Sequence, residues 1–130
     1  MPTYADMPDE LNNDIPHVKV PESAKSPETI LRYLIGVLQT AGRVPDSRVE
    51  PIIEWLLKRE SLGSTNIGNG IAVPHIQESF AVEPVIIVGQ LLRPTQWAET
   101  DVELVHSVWL MIASNTGDML MCWSKVRRIE

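Results

Sequence analysis

The residues best suited to chemistry crowd into one window. It runs Ser64-Thr65-Asn66-Ile67-Gly68-Asn69-Gly70-Ile71-Ala72-Val73-Pro74-His75, with Arg59-Glu60 just upstream. A histidine near neutral pH keeps a lone pair free, which makes His75 the candidate nucleophile. Arg59 offers a planar, permanently charged fork, and Thr65 and Asn69 offer hydrogen-bond donors. Each also has a plainer use. His75 can be an ordinary loop histidine, Arg59 can answer the dipole at a helix C-terminus, and Asn69 can pin a turn.

The elements that must position these groups follow from the same window. Gly68 and Gly70 permit positive φ or close backbone approach, and Ile71 to Val73 read as a short buried strand. Pro74 fixes its own φ and biases Val73 toward extended geometry, so His75 is expected at a stiff strand end. Upstream, Ser26-Pro27 opens a helix with a serine N-cap and proline at the first helical position. Ile30, Leu31, Leu34, Val37 and Leu38 form its apolar stripe, and Gly42 marks its stop. A second helix follows Asp46 or Ser47, settles near Glu50 because of Pro51, and ends at Arg59-Glu60 before Gly63. Val49, Ile52, Ile53, Leu56 and Leu57 are its buried face. Its end delivers Arg59 toward the glycine turn.

Downstream of His75, residues 77–83 read as loop. Val85 to Leu92 read as a buried strand with a bulge at Gly89, and Leu104 to Ala113 as another, with His106 on the face of Val108, Leu110 and Ile112. Gly117-Asp118 then opens a last helix in which Met119, Cys122, Trp123, Val126 and Ile129 form a packing stripe. Ile15 to Val20, with Pro16, reads as an edge strand. Residues 1–14, acidic and without periodicity, read as a mobile tail, and 15–130 as one domain. Interleaved helices and strands with short connections predict an α/β fold, a mixed sheet flanked by helices.

The words Lys58-Arg59-Glu60-Ser61-Leu62, Ser64-Thr65 and Gly68-Asn69-Gly70-Ile71-Ala72-Val73-Pro74-His75 resemble a known hallmark. It belongs to the enzyme IIA domain of the phosphoenolpyruvate-dependent sugar phosphotransferase system, fructose and mannitol type, which includes nitrogen-regulatory paralogues. The resemblance implies a phosphoryl carrier in which His75 accepts the group from the carrier protein HPr. The group then passes to a sugar-transporter IIB component, or serves as a signal to a regulated protein. On this resemblance Arg59 stabilises the phosphoryl charge, Glu60 anchors the loop, and Thr65, Asn69 and Gly70 contact the group or support the turn.

Two departures from the family pattern stand out. A second histidine, in a His-Leu pair opening the helix after the last long strand, usually faces the acceptor; Met119-Leu120 is the best match here, with His106 as a less direct substitute. The family domain also normally continues with another helix, so the chain looks shortened at its C-terminus. That implies something apolar left uncovered for a partner or a second copy, hence a homo-oligomer as one expectation. These departures favour the alternative of a binding module that keeps the fold while phosphorylation is weak or lost.

Bulk properties exclude other classes. A formal net charge of -6 over 130 residues argues against a nucleic-acid footprint. No apolar run reaches membrane-span length, and a lone Cys122 without a signal-peptide pattern fits a reducing cytoplasm. The stand-alone chain, with no membrane domain attached, reads as closer to the regulatory kind. His17, His75 and His106 lack ligand spacing and Cys122 lacks a companion, so neither a metal nor another cofactor is expected. No Gly-x-Ser-x-Gly and no Gly-Lys-[Ser/Thr] loop ending is present.

Overall fold

The computed structural model describes residues 15–127; the expected mobile tail, residues 1–14, lies outside them, as does Ile129. In chain order come β1 (His17–Lys19), α1 (Pro27–Thr40), a short 3-10 turn (Asp46–Arg48), α2 (Val49–Leu62), β2 (Asn66–Gly68) and β3 (Ile71–Ala72). They are followed by β4 (His75–Gln77), β5 (Val85–Thr95), β6 (Val105–Ala113) and α3 (Thr116–Arg127). The strands form one mixed sheet in the order β1-β5-β6-β3-β2, with β4 also on β6. β5 and β6 are antiparallel, whereas β3 and β4 both run parallel to β6.

Helix α1 starts where Ser26-Pro27 places it. The Ser26 side chain accepts from the Thr29 N–H, and Thr29 Oγ1 accepts from the Ser26 N–H, a reciprocal cap that satisfies otherwise orphaned donors. α2 begins at Val49 behind the 3-10 turn, so Pro51 falls in its first turn, where a missing N–H costs nothing. α2 also runs two residues beyond the expected stop, to Leu62.

Helices α1 and α2 cover one sheet face, burying Ile30, Leu34, Ile35, Ile52 and Leu56 against Ile87, Val108, Leu110 and Ile112. Helix α3 covers the other, with Met119, Cys122 and Val126 against Val73, Val88, Trp109 and Met111. Strand β6 is therefore apolar on both sides, as a central strand between two helical layers must be. On that second face Ile71, Val73, Val88, Trp109, Met111 and Ala113 are all enclosed, while Leu120 and Met121 on α3 are exposed.

Three local readings change. Gly89 is no bulge: it pairs in register with Val108, and a Cβ there would sit 2.9 Å from both Leu34 and Val20. The helix packs too closely for a side chain, and the sheet irregularity falls instead between Gln90 and Thr95. His75 does not end a strand but begins β4. His106 shares the parity of the core residues yet is exposed, because the sheet register shifts between Ser107 and Val105 so that Val105 is buried in its place, and the His106 ring lies over Gly70.

His17 gives a pH-dependent test. Its ring meets Trp109 edge-on at 6.1 Å, its Nε2 is buried without a hydrogen-bond partner, and burial lowers its pKa from the ordinary 6.5. The folded state then binds fewer protons than the unfolded chain, so this contribution to stability is complete above 6.5 and declines as pH falls toward the lowered value. Urea midpoints should drop between about pH 7 and pH 5, and His17→Phe should flatten that drop. An equally steep drop in the variant would refute the assignment.

Candidate functional site

The site is built outward from the end of α2. Arg59 Nη1 donates to the Gly63 carbonyl at 2.7 Å, closing the helix end with a cation where the dipole favours one. Glu60 reaches forward: Oε1 accepts from the Thr65 N–H at 3.0 Å and Oε2 from the Thr65 hydroxyl. Thr65 is buried, so these two bonds satisfy donors that would otherwise be stranded. The Thr65 carbonyl then accepts from the Val73 N–H at 3.0 Å. Finally, His75 Nδ1 lies 2.8 Å from the Val73 carbonyl.

That last contact decides the tautomer. A carbonyl oxygen only accepts, so Nδ1 carries the proton and Nε2 keeps its lone pair. A second constraint comes from α3: the Trp123 indole meets the imidazole at 5.4 Å between centroids, with the planes 77° apart. Trp123, which the sequence presents as ordinary packing, thus touches the candidate nucleophile. It lies four residues after Met119, one turn along the same helix face, so the alignment of Met119 against the acceptor carried the signal that would have found it.

His75 opens into a cleft of about 590 Å³ lined also by Arg48, Pro51 and Trp55 from the α2 side, Ile76, Gln77 and Glu78 from β4 and its end, and Met119 from α3. Met119 lines the same cleft as His75, and His106 does not. The cation lining it is Arg48, which sequence reasoning missed. It is held by Glu78 through Nε at 2.7 Å and Nη2 at 3.1 Å, and that carboxylate raises its pKa further. Arg59 lies outside the lining, one helical turn past Trp55 on the ridge Pro51-Trp55, roughly 6 Å along the axis.

The glycine turn is at the other end of β3. Gly68, Asn69 and Gly70 all have positive φ, at 87°, 55° and 79°. Asn69 donates its N–H to Glu103 at 3.1 Å, and the Gly70 carbonyl accepts from His106 and Ser107. A Cβ on Gly70 would lie 2.1 Å from the His106 ring, so only glycine fits. Five residue steps of extended chain separate Gly70 from His75, roughly 16 Å. Asn69 and Gly70 therefore support the loop from a distance, whereas Glu60 and Thr65 tie directly into the backbone that carries His75.

A sequence profile of the phosphoenolpyruvate-dependent sugar phosphotransferase system EIIA 2 family matches residues 13–129. The fructose-specific EIIABC component of Bacillus subtilis is 32% identical over 100 residues, which make up 77% of this chain and 15% of that protein. The nitrogen regulatory protein of Pseudomonas aeruginosa is 32% identical over 73% of this chain and 59% of its own length. The chain thus spans less than two thirds of these relatives. Among solved structures, nitrogen regulatory protein IIA-Ntr of Neisseria meningitidis shares the fold with TM-score 0.67 at 23% identity, covering 84% of this chain and 73% of that one. IIA mannitol of Escherichia coli does so with TM-score 0.64 at 21% identity, covering 91% and 79%.

The Glu60 tie generates a stability test. Glu60→Ala leaves the buried Thr65 amide and hydroxyl unsatisfied and should cost about 2–4 kcal/mol in urea unfolding, by the scale of charged hydrogen bonds. A loss below about 0.5 kcal/mol would mean that water or a shifted loop replaces both bonds.

Proposed function

The chain belongs to the EIIA type 2 family of the phosphoenolpyruvate-dependent sugar phosphotransferase system, and on that premise we propose that it carries a phosphoryl group on His75. The observation that supports this most is the Nδ1–H to Val73 carbonyl bond, which leaves the Nε2 lone pair as the nucleophile. The donor is an HPr-like phosphocarrier, and the compartment is the cytoplasm. The recipient is a sugar-transporter IIB component, or else the loaded state is itself read by a regulated protein. No helix among the described residues is long and apolar enough to cross a membrane.

In the transfer, Nε2 attacks phosphorus as the donor's nitrogen–phosphorus bond breaks, and the donor nitrogen keeps that bond's electron pair. No proton need move. The imidazole becomes cationic as it gains the phosphoryl group, and the Val73 carbonyl accepts from the more acidic Nδ1–H. Exchange between two phosphohistidines is close to balanced in energy, so alignment and charge stabilisation are the protein's share of the work. Arg59 supplies that stabilisation with the N–H groups not engaged by Gly63, while Glu60, Thr65, Asn69 and Gly70 hold the loop.

Met119 in the cleft favours a second reading. A thioether there brings neither charge nor a donor to the phosphoryl oxygens, which suits a regulatory module that is phosphorylated slowly or not at all.

The deciding experiment incubates the protein with phosphoenolpyruvate, enzyme I and HPr, then measures intact mass and acid lability. Wild type should gain one acid-labile phosphoryl group and His75→Ala none; labelling that survives in His75→Ala would sink the assignment. Arg59→Ala should slow loading roughly ten- to hundredfold, the range of a charged hydrogen bond. Met119→His should lengthen the life of the adduct, and an unchanged lifetime would count against the cleft position as a phosphoryl contact.

A further inference from the structure

We infer that Trp123 is a positioning residue for the His75 imidazole, an assignment that deepens the carrier reading and rests on it. Two contacts hold the ring. The Val73 carbonyl fixes Nδ1 at 2.8 Å, which sets the tautomer but leaves the ring free to tilt about that hydrogen bond. The indole, 5.4 Å away and 77° from coplanar, resists the tilt. Only the pair of contacts gives Nε2 a single direction.

Trp123 is well placed for this. It is half-buried and packs against the apolar layer that includes Met119, Cys122 and Val126, so its ring is anchored by α3 while one side remains available to His75. The charges that line the cleft, Arg48 and Glu78, are engaged with each other through two hydrogen bonds. Met119 contributes no charge. Alongside the Val73 carbonyl, the indole is therefore the contact that limits the orientation of the ring.

The test compares wild type, Trp123→Phe and Trp123→Leu, each checked for an unchanged melting temperature. Phosphoramidate serves as a small donor, which phosphorylates imidazole with loss of ammonia and needs no protein partner; phospho-HPr serves as the second. Carbon-13 relaxation of the His75 ring reports how freely it tilts before any loading. Trp123→Leu should load three- to tenfold more slowly from both donors, the scale of one aromatic contact, and should show a more mobile ring whose Nδ1–H tautomer, set by Val73, is unchanged. Trp123→Phe should restore most of both properties. Wild-type rates and wild-type ring mobility in Trp123→Leu would overturn the inference. Failure of wild type to load from phospho-HPr would overturn the carrier reading alone, and the mobility comparison would still decide the role of Trp123.

Discussion

The site depends on a short relay of hydrogen bonds that starts on a helix and ends on an imidazole. Glu60 holds Thr65 by backbone and side chain, Thr65 holds Val73, and Val73 holds His75. Each link joins groups that are buried or half-buried, where an unmade bond is expensive, so the geometry is enforced by the cost of breaking it. The dipeptide Arg59-Glu60 serves both directions. Arginine closes the helix behind it, and glutamate fastens the strand ahead of it.

Around that relay the sheet supplies stiffness. β6 is sealed on both faces by helices, and the histidine-bearing segment lies directly against it. The positive-φ turn at Gly68, Asn69 and Gly70 sits at the far end, tied to Glu103, His106 and Ser107. It makes the hairpin tight enough to hold β3 in place. The cleft opens where β4 forms the local edge of the sheet, between α2 and α3. The cleft that holds His75 thus opens where the rigid part of the molecule meets solvent.

Much of this was legible beforehand. The Ser26-Pro27 cap, the apolar stripes of the helices and the Gly-Asn-Gly turn each rest on local chemistry and stand where the sequence puts them. Residues whose role depends on distant partners were not legible. Arg48 becomes a cleft residue only because Glu78, thirty positions later, holds its guanidinium. Trp123 reads as packing until the fold brings His75 to its ring. Gly89 suggested a bulge, yet its constraint is the approach of Leu34 and Val20 from two other elements. His106 had the parity of core residues, but parity does not foresee the register shift that buries Val105 in its place.

Strands β3 and β4 share one further property. Ile71 lies opposite Ser107 and His75 opposite Met111, so the register along β6 is unbroken across Val73-Pro74. The histidine is in effect a mark on a ruler laid along the central strand. Inserting or deleting one residue between Ala72 and His75 would carry the imidazole to the opposite face, into the layer packed by α1 and α2, while the same change in the loop after Glu78 would leave it in place. Length variation among descendants of this chain should therefore be forbidden in the first segment and permitted in the second, whatever residues fill either.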